Sequence, residues 1–436
     1  MRTRFSFLPF LLLTLLFTQV SFANEPGESL ARKAVSENKV ESAPAIEELR
    51  SLGPAGLQTL MRQYDAEISR HVADPKLPAS EEWQRITTAL DAVSQQKDSY
   101  LSGLYWYTDL QQARKAAAET GKPILSLRLL GKLSDELSCA NSRFFRTVLY
   151  SNQEVSAMLR DHFVLHWQSI RPVPLITIDF GDGRKLERTV TGNSIHYILG
   201  SDGQVIEALP GLYGPQAFSR GLTEAESLFR QVRVKSGAER RSTLANYYRA
   251  SINRISLAWL ADTTRIGGKL PEGFTIEKGQ NGEAISIMPL AVTKAVTETT
   301  ILRAMTAGSE ALGRITDESA WKKIAEIHNA DATLDERSVA LIRRQNPDLS
   351  DKGLATLLQK FQQTIALDTV RNEYLMHSKL YAWLMRDPSR NDLSKFNDKV
   401  YAELFLTPQS DPWLGLLSLD VYNGLENGGV VKIVKN

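Results

Sequence analysis

The chain of 436 residues contains a single cysteine, Cys139, in the string LSCANSRFF. A thiol attacks as its thiolate, and the unpaired N–H groups at the start of a helix favour that form. If Ala140 to Thr147 is helical, Cys139 stands at that end. Arg143 and Arg146 then add positive potential, and Asp135 and Glu136 oppose it. Ser142, three residues on, can donate a hydrogen bond to sulfur but cannot resolve a mixed disulfide. Of the six histidines, His166 and His196 are candidates to join Cys139 as a Cys–His–His metal set. His196 is also a candidate general base for the thiol, which requires hydrogen-bond reach. His162 and His166 lie four apart across a helix-to-strand change, so they do not share a helical face.

Other chemistries lack their sequence marks. GxGxxG and GxxxxGK[ST] are absent, as are a G-x-S-x-G elbow and H-E-x-x-H. The acids of DFGDGR, residues 179–184, lack the ligand number and spacing of a calcium loop and read as a hairpin turn. Asp317 and Glu318 read as first-turn charges of a helix. Fifty-two Lys and Arg against 50 Asp and Glu leave a net charge of +2, with no electrostatic footprint for nucleic acid.

The elements that must position Cys139 run from Lys122 to Leu209. DLQQARKAAAET is an alanine-rich helix ended by Gly121. PILSL follows as a strand with Pro123 at its first position. After the cysteine, Ser151 and Glu154 stand in the capping-box relation of a second helix, and FVLHWQSI continues as a strand. LITIDFGDGRKLERTV folds back at Gly181–Gly183 as a hairpin. Ile195–Leu199 and Val205–Leu209 make another, turned at SDGQ. Upstream, Asn24 to Ser42 reads as a mobile arm, followed by helices through AIEELR, LQTLMRQYDAEISRHV and EEWQRITTALDAVSQQ, the last capped by Ser80. SYLSGLYWYT carries four aromatics suited to docking that part on the centre. Beyond about Gly237 the pattern turns helical, beginning with ERRSTLANYYRASINRISLAWL. Ile266 to Ile287 reads as a loop or small hairpin. Helices are expected at Val292–Met305, Asp317–Asn329, Glu336–Arg343, Asp351–Ala366, Asn372–Arg386 and Asp392–Phe405, with caps at Thr316, Asp335 and Ser350. The tail NGLENGGVVKIVKN reads as a turn and a short strand.

Met1 to Ala23 has a basic start, Arg2 and Arg4, an apolar FLPFLLLTLLF and small Ser21 and Ala23 before Asn24. This is the pattern of a secretory signal peptide. It implies export, periplasmic or secreted, with no stable membrane insertion after cleavage. A lone cysteine in an oxidising compartment forms no internal disulfide, so the fold relies on its core.

The order helix, GKPIL strand, cysteine turn, helix, FV strand and terminal hairpin with DG at its tip resembles the thioredoxin-like superfamily. The resemblance covers about residues 105–225. It implies an α/β thioredoxin-like sandwich, here flanked by mainly helical N- and C-terminal regions. It places Cys139 at the nucleophilic position of the family's CxxC pair and Ser142 at the resolving position. Ser194 falls near the site of the family's cis-proline, and Ser138 replaces the usual tryptophan. The expected organisation is a signal peptide at 1–23, a helical region at 24–98, a thioredoxin-like domain at 99–235 and a helical domain at 236–436.

Three functions stay open. The first is monothiol disulfide exchange through Cys139 and Ser142, supported by Arg143, Ser194 and His196, with a protein thiol or disulfide as partner and no cofactor. The second is a non-catalytic scaffold or interaction protein on a degenerate thioredoxin fold. The third is a periplasmic metal-binding protein using Cys139 with a histidine.

Overall fold

A computed structural model describes residues 26–190, 192–268, 312–313 and 316–414, with isolated positions from 417 to 430. The signal peptide expected at 1–23, most of the 266–287 segment, the helix expected at 292–305 and most of the C-terminal tail lie outside the described residues.

The centre is an open, mixed five-stranded sheet. Its strands are β1 (Trp106–Tyr107), β2 (Ile124–Leu130), β3 (Val164–Arg171), β6 (Ile195–Leu199) and β7 (Val205–Pro210). They lie side by side in the order β1-β3-β2-β6-β7. β3 runs parallel to both β1 and β2, and β6 runs antiparallel to β2 and β7. β2 is central and buried along its whole length. That explains why ILSLRLL is a near-continuous apolar run instead of an alternating one. The remaining strands, β4 (Leu175–Asp179) and β5 (Lys185–Thr189), form a separate antiparallel ribbon at the expected hairpin. Gly181 and Gly183 both have positive φ there, which an L side chain would resist.

Helices enclose the sheet. The N-terminal group is α1 (Pro26–Ala34), α2 (Lys39–Ser51), α3 (Pro54–Gln63), α4 (Asp65–Ala73) and α5 (Glu81–Ser94). The mobile arm expected at 24–42 is therefore replaced by α1 and the start of α2. Ala31 and Ala34 are buried, and Asn38 accepts the Val40 N–H to cap α2. A polar segment is ordered here because small residues bring its backbone against α2 and α3. Arg50 joins this group to the sheet, donating to the carbonyls of Val93 at 2.8 Å and Trp106 at 2.5 Å.

Next come α6 (Leu110–Thr120), α7 (Ala140–Phe144), a π-helical continuation Phe145–Tyr150, α8 (Gln153–His162), α9 (Pro215–Val232) and α10 (Gly237–Arg265). The helix after the cysteine turn starts one residue later than the capping box implies. Asn152 accepts the Val155 N–H as cap, while Ser151 turns back to the carbonyl of Thr147. The C-terminal helices are α11 (Glu318–Ile327), α12 (Glu336–Gln345), α13 (Asp351–Arg371), α14 (Ser378–Arg386) and α15 (Leu393–Lys399). Asp335 and Ser350 cap α12 and α13 as expected, but Asp317, not Thr316, caps α11. The apolar core under the sheet runs without interruption into these helices, from Ile198 and Phe218 to Trp259, Tyr381 and Phe396. No helix among the described residues is long and apolar enough to cross a membrane.

Candidate functional site

β2 ends at Gly131, and the loop after it returns so that the Cys139 N–H donates to the Leu130 carbonyl at 3.3 Å. Cys139 occupies the N-cap position of α7. Its Sγ lies 3.5 Å from Ser142 Oγ and 3.3 Å from Ser194 Oγ. Three of the residues singled out by sequence therefore meet: the thiol, the serine three residues on and the serine before β6. All three are 0% exposed. The Ser142 hydroxyl also donates to the Cys139 carbonyl at 2.8 Å, so its proton is directed to backbone.

Of the supporting residues, Ser194 meets the sulfur, while Arg143 and His196 direct their hydrogen bonds elsewhere. Arg143 donates to Thr189 Oγ1 at 2.8 Å, and burial lowers its pKa. Arg146 donates to the carbonyl of Asp135 at 2.8 Å and so holds the cysteine loop. His196, on β6, shares a 2.7 Å hydrogen bond through Nε2 with the Tyr150 hydroxyl, and its Nδ1 is buried with no partner. Burial pushes its pKa down to about 3, which keeps the imidazole neutral. Neither of its ring nitrogens is hydrogen-bonded to the Cys139 sulfur, whose partners are Ser142 and Ser194. His166 bonds Ser126 Oγ at 2.8 Å and is likewise held neutral, first by burial and then by Arg128. Among the described residues, no group of three or more His, Cys, Asp or Glu side chains is arranged to hold a metal ion.

The chain's own C-terminal segment closes over this region. Tyr401 donates to the carbonyl of Asn193, and the Asn193 amide donates to Thr407 Oγ1 at 3.1 Å. Arg171, at the end of β3, donates to the carbonyls of Thr407 at 2.9 Å and Asp411 at 3.1 Å. The loop carrying Ser194 is thus tied to residues more than 200 positions away.

A second polar cluster lies at the β7 edge of the sheet, and sequence reading missed it. Glu207, on β7, faces the π-helical stretch Asn372–His377 that links α13 to α14. His377 bridges two carboxylates, with Nε2 3.2 Å from Glu207 and Nδ1 2.9 Å from Glu373. The Tyr381 hydroxyl donates to the second Glu207 oxygen at 3.0 Å. Burial opposes charge on His377, but the two carboxylates outweigh it and raise its pKa to about 10. Beside it, His328 lies 2.6 Å from Asp262 and 3.6 Å from Asp331, and those acids raise its pKa to about 9.

The backbone brings these elements close at Gly214. A Cβ there would stand 2.0 Å from the Asp331 carbonyl oxygen, so only glycine admits the approach of α9 to the Asn329–Ala332 turn. Together the two histidine clusters line a cleft of about 270 Å³ between β7, α9, α10 and the C-terminal helices. The local spacings Glu373–His377 and His328–Asp331 are helical i,i+4 and i,i+3 pairs and were readable as such. The Glu207 contact, made across 170 residues, had no local signal. Compared with protein-family models, curated proteins and solved structures, the chain matches none.

Proposed function

We propose that this is an exported, non-catalytic interaction protein built on a divergent thioredoxin-like domain, with Cys139 serving as a core residue. The burial of Cys139 carries this reading: its side chain has no exposure, and the C-terminal segment is bonded across the loop beside it. Exchange requires in-line approach of a disulfide to the sulfur, which a sealed thiol does not permit. The thioredoxin-like assignment is supported by the strand order and by the cysteine at a helix start after the central strand. Ser194 opposes the thiol where the family places its cis-proline, and every described peptide bond is trans. Export is supported by the sequence of residues 1–23. On this reading the domain's former reactive face has become the seat of the chain's own C-terminal helices, and the protein acts by binding.

Iodoacetamide labelling near neutral pH tests the proposal. Cys139 is expected to react in the folded protein at least a hundredfold more slowly than in urea, with a rate that follows opening of the structure, on the order of magnitude set by native-state protection. Native labelling as fast as that of an unfolded thiol would restore the monothiol exchange reading.

A further inference from the structure

We infer that the cleft between β7 and the C-terminal helices binds a small organic cation, an ammonium or guanidinium group on a short carbon frame, seated against Glu373 and Tyr213. This goes beyond the non-catalytic reading and does not depend on it, since a reactive Cys139 would leave the cleft unchanged.

Tyr213 is the observation that points to a ligand. It lines the cleft and is 2% exposed, yet its hydroxyl makes no hydrogen bond of normal geometry, even to the Glu373 carboxylate within its reach. A buried hydroxyl left unmatched is costly, and a bound donor or acceptor would relieve it. Glu373 uses one oxygen on His377 and, apart from its contact with Tyr213, makes no other hydrogen bond among the described residues. Its side chain retains 30% accessibility because it faces the cleft. A carboxylate oxygen beside a phenol can receive the N–H groups of a cation.

Commitment of the charged groups selects the sign. The lining carboxylates Glu207, Glu224, Asp331 and Glu373 balance the cationic groups Arg220, Arg254, His328 and His377 in number. Both arginines are already committed. Arg220 grips Asp331 with two bonds of 2.7 Å, and Arg254 grips Glu224 with two of 2.8 Å. An anion would have to displace one of those carboxylates. At about 270 Å³ the space lies just below the range for drug-sized ligands, so the occupant is metabolite-sized.

Isothermal titration calorimetry on the mature full chain tests this, with agmatine, putrescine and choline as probes. Succinate and glucose serve as the anionic and neutral controls. At least one cation is expected to saturate a single site below about 1 mM. Glu373→Gln should weaken that binding roughly tenfold or more, the loss expected for a charge-assisted hydrogen bond. Tyr213→Phe should weaken it about threefold or more without lowering stability, because the hydroxyl it removes is unpartnered. Should Glu373→Gln fail to fold, Tyr213→Phe decides alone. Absence of saturable binding by all three cations overturns the inference. So does preference for succinate or glucose, or unchanged affinity in Tyr213→Phe.

Discussion

The groups that meet Cys139 are small hydroxyls, Ser142 and Ser194, with an imidazole kept uncharged by burial a little further off, and the buried Arg146 is spent on loop carbonyls. Around Glu207 the buried groups are ionised and arranged in alternation, carboxylate, imidazolium, carboxylate. The two clusters sit on neighbouring strands of one sheet. Neutral groups with short-range partners can be sealed from water at modest cost, and the first cluster is sealed. Burying ions costs several kcal/mol each unless every one is paired, and the second cluster keeps a water-accessible carboxylate and an open cleft. The difference separates polar residues that serve packing from polar residues that remain available to something outside the chain.

The comparison breaks most visibly at Glu207. Glu207→Ala removes an acceptor shared by His377 and Tyr381 from a buried site and leaves the positive imidazole with Glu373 alone. A loss of about 3–5 kcal/mol is expected in urea unfolding, as for other buried pairs cut on one side. A loss below about 1 kcal/mol would mean the cluster is hydrated and its charges are not structural.

The pH dependence is the next largest effect. His377 is raised from 6.5 to about 10 and His328 from 6.5 to about 9. Their contribution is therefore complete below pH 6.5 and is lost as pH rises through 9 to 10. Glu373, whose burial is outweighed by His377, and Asp331, outweighed by His328 and Arg220, are both depressed. Their contribution is present above the ordinary values of 4.5 and 3.8 and is lost as pH falls below them. Thermal midpoints should be highest near pH 4.5 to 6.5 and decline toward pH 10. His377→Gln should flatten the alkaline decline, and an unchanged slope would place the titrating groups elsewhere.

The smallest effect is expected at the thiol. Cys139→Ser keeps the volume and leaves Ser142 and Ser194 within hydrogen-bond reach. A change within about 1 kcal/mol is expected by chemical denaturation, with the near-UV spectrum retained. A larger loss would show that the pocket is tuned to sulfur and sharpen the contrast in the other direction.

Much of the frame was legible before any coordinates. The apolar run of β2 read as a central strand, the glycines of DFGDGR placed a hairpin, and Asp335 and Ser350 marked their helices. Each is a local decision, set by residues a few positions apart. The signal-peptide-like pattern of residues 1–23 and the count of one cysteine are likewise read from the string alone. The meeting of Cys139 with Ser142 and Ser194 was implied by the resemblance to the thioredoxin-like superfamily, which put the resolving position and the cis-proline position at those serines.

The chain could not say locally whether the thiol was open or sealed, because that depends on a C-terminal segment that reaches Asn193 from Tyr401 and Thr407. It was equally silent about Glu207, an acid in an apolar strand whose partners lie on a helix 170 residues later. Spacing along the chain reports which face a side chain takes, whereas burial and ion pairing depend on which distant face comes to meet it. For this protein the sequence determined the sheet and the position of its one thiol. Only the packing of the C-terminal helices decided that the thiol is closed and that the charged cleft beside β7 is open.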